Sequence, residues 1–120
     1  MSIHLTTDQG GYQLELTATF LGSDLLVTCT GGDRPHIGAV AVAHPQAGLD
    51  EVTANIICLS GHREDELARS AALKLSRALH CTVTVVAGMH WDVIDRAGIE
   101  QVLAGAEGLI DQLQTQIDKA

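Results

Sequence analysis

The sequence predicts an α+β protein in which two helices pack on one face of a mixed, mostly antiparallel sheet, in the order β-β-β-β-α-β-α. Short segments rich in strand-forming residues fill the first half of the chain, where apolar residues either alternate with polar ones or run continuously. Further along, apolar residues recur at helical spacing in two longer segments. Turns that contain Gly or Pro separate these segments, so each segment is interpreted as an element of its own.

Four strands are predicted before the first helix. Residues 12–21 alternate between apolar and polar, which is the period of a half-buried strand. Residues 25–30 form a continuous apolar run, and residues 31–35 break it in a hairpin-like connection to a third strand at 37–43. Residues 53–59 form the fourth strand, so we expect strands two, three and four to form an antiparallel meander.

The second half of the chain predicts helix, strand and helix. A helix is expected over residues 63–80, because its first turn is acidic at 64–66 and its last turn is basic at Arg77, each sign matching the helix dipole. Residues 82–87 predict a buried fifth strand. The last helix carries one apolar stripe, which consists of Ile99, Val102, Leu103, Ala106, Leu109, Ile110, Leu113 and Ile117.

The composition indicates one acidic domain. A chain of 120 residues that is 46% hydrophobic can bury a single core, so we expect residues 1–120 to form a single domain. With 7 Lys and Arg against 15 Asp and Glu, the net charge is −8, which disfavours a nucleic-acid partner because phosphate contacts need clustered cations. The three aromatic residues, Tyr12, Phe20 and Trp91, are too few for a base-stacking platform.

The same pattern predicts a cytoplasmic location and reduced thiols. The first residues carry no basic segment followed by an apolar run, and no apolar stretch reaches the roughly 18 residues that span a bilayer. We therefore expect no membrane partner. Cys29, Cys58 and Cys81 are odd in number and lie in apolar segments, which favours buried reduced thiols over a disulfide framework.

Three histidines are expected to meet at one end of the sheet. In the predicted meander, His36 and His62 lie at the same end, and a right-handed crossover through the first helix brings His90 there too. Imidazoles with added carboxylates suit Zn, Fe, Mn or Ni, so the predicted metal ligands are His36, His62, His90, Glu64, Asp65 and Asp92. The alternative is that these histidines only cap strand ends, since no spacing matches a known metal motif.

Two glycine-bearing turns suit a phosphate. Gly61 and Arg63 open a helix whose free N–H groups attract an anion, although the acidic first turn would repel one. The loop that contains Gly31, Gly32, Asp33 and Arg34 can form a nest of N–H groups. The alternative is that both are ordinary turns.

Catalysis by a nucleophile finds little support in the sequence. The chain has no Gly-x-Ser-x-Gly motif, and apolar surroundings raise rather than lower the pKa of a thiol. Ser60 lies beside Gly61 and His62, but adjacency alone does not make a nucleophile and base pair. Trp91 suits two roles, a stacking surface for a planar ligand or an interface anchor.

Taken together, three segments resemble the LpdD-like prenylated-flavin chaperone family. They are residues 31–38 (GGDRPHIG), 60–68 (SGHREDELA) and 88–92 (GMHWD). The resemblance implies a fold similar to proteasome assembly chaperones, often as a homodimer. The family motif positions carried onto this chain are Asp33, His36, His62, Glu64, Asp65, His90 and Asp92.

The resemblance also implies a function. Members bind reduced prenylated FMN and help deliver it to a UbiD-type decarboxylase, so we expect a non-catalytic carrier with that decarboxylase as partner. The predicted cofactor-binding residues are Gly31, Gly32, Asp33, Arg34, His36, Gly61, Arg63 and Trp91. The alternatives are a small metal-dependent enzyme or accessory subunit of a decarboxylase complex, and a pure assembly chaperone.

Overall fold

The computed structural model describes residues 2–48, 51–59 and 64–119. It contains six strands and two helices: β1 (Ser2–Thr7), β2 (Leu14–Leu21), β3 (Asp24–Gly32), β4 (Ala39–Pro45), β5 (Val52–Cys58), α1 (Glu64–Leu79), β6 (Val83–His90) and α2 (Arg96–Asp118). A short 3-10 turn, Gln9–Gly11, joins β1 to β2. The predicted α+β class, with two helices and a mixed sheet, is confirmed.

The strands form one sheet in the order β1-β2-β3-β6-β4-β5. All neighbouring pairs are antiparallel except β3 and β6, which are parallel. The sequence analysis did not predict β1. Ile3 is the one residue of this strand that is buried. A short strand with so little apolar signal is hard to distinguish from a loop.

The predicted meander is correct for the third and fourth strands, β4 and β5, which pair antiparallel, but wrong for the second and third, β3 and β4, which are not neighbours. Strand β6 lies between β3 and β4, so the connection after Gly32 is not a hairpin. Val83, Val85 and Ala87 are almost completely buried. Burial on the helix-covered face is greatest for a strand with neighbours on both sides, which gives a physical reason for the central position of β6.

Both helices cover the same face of the sheet. Helix α1 packs over β4, β5 and β6, whereas α2 packs over β1, β2 and the 3-10 turn. Beneath α1 the strand residues Ala39, Ala41 and Ala43 are fully buried, and small side chains let a helix approach closely. The predicted stripe of α2 is buried at Val102, Ala106, Leu109, Ile110 and Leu113, but Ile99 is exposed.

The three cysteines differ in environment. Cys29 is buried in β3, and this burial raises the pKa of its thiol from 9.0 to about 11, so it is a protonated, unreactive thiol at neutral pH. Cys81 is partly buried, and its pKa is raised by that burial and then by the charge of Asp24. Cys58 is exposed, so the expectation that all three are buried was wrong.

Neither helix in the described ranges is long and apolar enough to cross a membrane.

Candidate functional site

The predicted site residues that the structure describes lie at one end of the sheet. Strands β3, β5 and β6 end there and β4 begins there, because Gly32 is opposite His90 and Ala39 is opposite both Ala87 and Cys58. His36 and His90 therefore share this end, as the sequence predicted from the connectivity. His62, with Gly61 and Arg63, lies outside the described residues.

His90 belongs to a polar cluster with Arg34 and Asp92. Its Nε2 atom is 2.8 Å from Arg34 Nη2 and 3.1 Å from Asp92 Oδ1. Arg34 Nη2 also donates to Asp92 Oδ1 at 3.2 Å, which closes a triangle. Asp33 supports the cluster, since its Oδ2 accepts a hydrogen bond from the Asp92 backbone N–H at 2.9 Å. These side chains form the outer, solvent-facing part of the site.

His36 faces a different partner. Its Nδ1 lies 2.9 Å from the Arg34 carbonyl oxygen, and its Nε2 lies 3.5 Å from Glu64 Oε2. Glu64 is a buried carboxylate at the start of α1, with a side chain only 9% exposed. Asp65 is turned elsewhere, because its Oδ1 accepts a hydrogen bond from the backbone N–H of Glu66 at 2.8 Å.

The predicted phosphate nest has a packing role in this structure. Gly32 has a φ of +82°, and a Cβ atom there would overlap the carbonyl oxygen of His90. A Cβ at Gly31 would overlap the carbonyl oxygen of Gln13. Both glycines line a groove of about 580 Å³ along β1 to β3, which shares no lining residue with the cleft beside His90.

A cleft of about 660 Å³ opens beside His90 and Trp91. It lies where the start of α1, the end of β6 and the first turns of α2 meet. One rim is acidic, with Glu64, Asp65 and Glu66, and the other rim carries His90. The walls between them are apolar, formed by Leu67, Met89, Trp91, Ile94, Ile99, Val102 and Leu103.

Trp91 is held by an aromatic contact. Its ring meets that of Tyr12 edge to face, with centroids 5.4 Å apart and planes at 89°. Tyr12 itself is held near α2, since a Cβ at Gly98 would overlap its hydroxyl. The one large aromatic ring of the cleft is therefore packed in a defined position before any ligand arrives.

Sequence reasoning missed most of the apolar wall. Ile99, Val102 and Leu103 were assigned to the core-facing stripe of the last helix, because periodicity does not distinguish a cleft from a core. In the structure Val102 is buried, while Ile99 and Leu103 retain exposed surface and line the cleft. Met89 alternates like any strand residue and carried no signal of its own.

The predicted metal ligands separate into two groups. His36 faces Glu64, whereas His90 and Asp92 are bonded to Arg34. Among the residues that the structure describes, no group of three or more His, Cys, Asp or Glu side chains is arranged to hold a metal ion. The predicted ligands thus form two pairs: His90 and Asp92 lie 3.1 Å apart and both contact Arg34, whereas His36 and Glu64 lie 3.5 Å apart.

The fold is similar to that of a chain from a proteasome assembly chaperone complex. It superposes on a chain from the crystal structure of a chaperone complex for yeast 20S proteasome assembly with a TM-score of 0.68, covering 96% of this chain and 95% of that one. The identity is 18%, so this similarity concerns the fold alone.

The chain belongs to the prenylated flavin chaperone LpdD-like domain family, whose sequence model matches residues 8–118. It is 32% identical to Protein LpdD of Lactiplantibacillus plantarum over 112 residues, which are 93% of this chain and 79% of that protein. The resemblance inferred from the three sequence segments is thereby confirmed, and the chain is assigned a chaperone-type domain.

Proposed function

We propose that the protein is a non-catalytic carrier that binds reduced prenylated FMN in the cleft and assists its delivery to a UbiD-type decarboxylase. Family membership supports a chaperone role. The observation that carries the choice of site is the 660 Å³ cleft with apolar walls and a fixed Trp91, because pockets of this size and character suit a planar cofactor. We further propose that it acts in the cytoplasm.

Charge suggests how such a cargo is oriented. A phosphate group would be repelled by Glu64, Asp65 and Glu66 at the start of α1 and attracted to Arg34 beside His90. The ring system would then lie against Trp91 and Met89, with the prenyl-derived ring against the aliphatic wall of α2. A reduced flavin is oxygen-sensitive, and burial against apolar walls limits its contact with water and dissolved oxygen.

The carrier role also agrees with the absence of an evident nucleophile in the sequence. Burial raises the pKa of the Cys29 thiol to about 11, which keeps it protonated at neutral pH. The residues that line the cleft provide an apolar binding surface and charged groups. A carrier needs affinity that is sufficient to hold its cargo and weak enough to release it, and a cleft open on one side supports such reversible binding.

An anaerobic titration with reduced prenylated FMN tests the proposal. Saturable binding is expected, with preference for the prenylated cofactor over ordinary reduced FMN. Only the prenylated cofactor has the additional ring that would pack against the aliphatic wall. Trp91→Ala is expected to weaken binding about tenfold, which corresponds to a lost aromatic contact of roughly 1 kcal/mol or more. Fluorescence of the single tryptophan gives a direct readout in the wild type.

Phe20→Ala is the matched control, because Phe20 is a half-buried aromatic residue on β2 that does not line the cleft. Binding that is absent for both flavins, or unchanged in Trp91→Ala, would contradict the proposal.

A further inference from the structure

The contact between His36 and Glu64 joins two atoms that both accept hydrogen bonds. His36 Nδ1 lies 2.9 Å from the Arg34 carbonyl oxygen, which only accepts, so Nδ1 carries a hydrogen. In the neutral ring the other nitrogen, Nε2, then presents a lone pair. Glu64 Oε2 lies 3.5 Å from this nitrogen. A proton or a metal cation between the two acceptors would make the contact favourable.

The carboxylate oxygen is buried and has no hydrogen-bond donor among the described residues. Its position depends on Gly38, because a Cβ atom at that residue would overlap Oε2. A buried acceptor without a partner is costly, and native proteins rarely leave one so. The chain thus holds an oxygen in a place where a cation would satisfy it.

The separation of the two atoms favours a metal ion over a shared proton. A charge-assisted hydrogen bond between nitrogen and oxygen is about 2.7–2.9 Å long, which is much shorter than the observed contact. With metal–nitrogen and metal–oxygen bonds of about 2.1 Å, a separation of 3.5 Å gives a ligand–metal–ligand angle of about 113°, near the tetrahedral value. The geometry fits chelation.

We propose that His36 Nε2 and Glu64 Oε2 are ligands of a divalent first-row ion of the zinc type. An imidazole with a carboxylate is a usual ligand pair for such ions. The inference goes beyond the flavin cargo and does not depend on it. The positions that this pair leaves open are available to water or to an anionic ligand.

The other candidate ligands have different roles. Asp65 accepts a backbone hydrogen bond in the first turn of α1, and His90 and Asp92 are bonded to Arg34. The ion site is therefore separate from the Arg34, His90 and Asp92 triangle. Removal of His36 or Glu64 should weaken metal binding, whereas removal of Asp65 should not.

The test is titration of metal-stripped protein with Co²⁺, whose visible absorption reports tetrahedral coordination, followed by displacement with Zn²⁺. The wild type is expected to bind one ion, and His36→Gln or Glu64→Gln to lose at least about tenfold in affinity. His44→Gln is the matched control, since His44 lies at the opposite end of β4. Asp65→Asn controls for the loss of a neighbouring charge.

A measurement on the wild type alone covers the case in which a variant fails to fold. Zn²⁺ is expected to protect His36, but not His44, from modification by diethyl pyrocarbonate, as read by peptide mass spectrometry. Equal modification of His36 with and without Zn²⁺ would overturn the inference. So would the lack of saturable Co²⁺ binding, or unchanged affinity in both His36→Gln and Glu64→Gln. None of these measurements involves a flavin, so their failure would leave the carrier proposal standing.

Discussion

Gly38 and Gly88 have no Cβ atom, and this leaves room for the side chain of Glu64 and for the backbone of His36. A Cβ at Gly88 would overlap the carbonyl oxygen of His36, and one at Gly38 would overlap the carboxylate of Glu64. The loop before β4 can therefore lie directly against β6, with the His36 N–H donating to the Gly88 carbonyl at 3.4 Å. The glycines of this end are needed for close approach of backbone, which is one of the uses of glycine in strands.

Gly88→Ala is expected to destabilise the protein by about 1–3 kcal/mol, because the overlapping atom belongs to backbone and the loop that carries His36 must move. Gly108→Ala is the control. Gly108 is exposed in the interior of α2 with open space around it, so its replacement should stabilise by about 1 kcal/mol. Urea unfolding of the two variants and the wild type measures both effects.

Equal stability of Gly88→Ala and the wild type would show that the loop before β4 is not packed against β6 as described. In that case the position of His36 would also be in question.

At this scale the sequence predicted that His36 and His90 lie at the same end of the sheet, but not which side chains they contact. Placing His36 and His90 at one end needed only the directions of β3, β4 and β6. The pairing of His36 with Glu64, and of His90 with Arg34, depends on rotamers and on the space that Gly38 leaves. Neither pairing is indicated by a pattern in the sequence.

Among the elements, β5 is the strand with the most exposed apolar surface. It is an edge strand, and Ile57 is 64% exposed. Leu59 follows it and is 67% exposed, and Ile37 lies at the adjacent start of β4 with 60% exposure. The segment Val52–Cys58 has no charge and no proline, which are the usual protections of a free edge. These features support the proposal that the protein is a homodimer.

We expect Ile57→Lys to shift the protein from dimer to monomer in sedimentation velocity at micromolar concentration, because two lysines would be brought together at a symmetric contact. Leu21→Lys is the matched control, since Leu21 is 62% exposed at the far end of β2. A wild type that sediments as a monomer would contradict the homodimer proposal, and a dimer unaffected by Ile57→Lys would place the interface elsewhere.

Element types were more predictable than their order. The period of residues 12–21 and the apolar run of residues 25–30 led to β2 and β3, and the charge pattern of residues 63–80 led to α1. The insertion of β6 between β3 and β4 is a long-range choice that depends on burying Val83 and Val85 beneath the helices. The local sequence pattern does not report which strands become neighbours in the sheet. The hairpin expected after Gly32 was therefore wrong.

Over the whole molecule, the cleft exists because the two helices cover different halves of the sheet. Helix α1 lies over β4 to β6 and α2 over β1 and β2, and Lys74 of α1 forms an ion pair with Asp111 of α2. Near that ion pair a smaller groove of about 320 Å³ runs between the helices. It shares Glu66, Leu67 and Leu103 with the cleft, so the two spaces adjoin each other.

The net charge of −8 bears on the proposed cargo at this same scale. An acidic protein repels a free phosphate at long range, so binding must come from the apolar walls and the local charge of Arg34. Weak net attraction for the phosphate is compatible with release to a partner. The long-range repulsion of a phosphate could be predicted from composition alone. The cleft that would bind the cofactor despite this repulsion is visible only in the structure.

The central claim, that the cleft holds a cofactor for delivery, is tested most directly by a hand-over measurement. Protein preloaded with reduced prenylated FMN is mixed anaerobically with an apo UbiD-type decarboxylase, and recovered decarboxylase activity is followed over time. We expect faster or more complete recovery than with the same amount of free cofactor. Leu103→Glu, which places a charge in the cleft wall, should remove the advantage. Gln112→Glu, which places the same charge at an exposed position of α2 outside both the cleft and the groove, should retain it. Recovery that is identical with and without the protein would contradict the account.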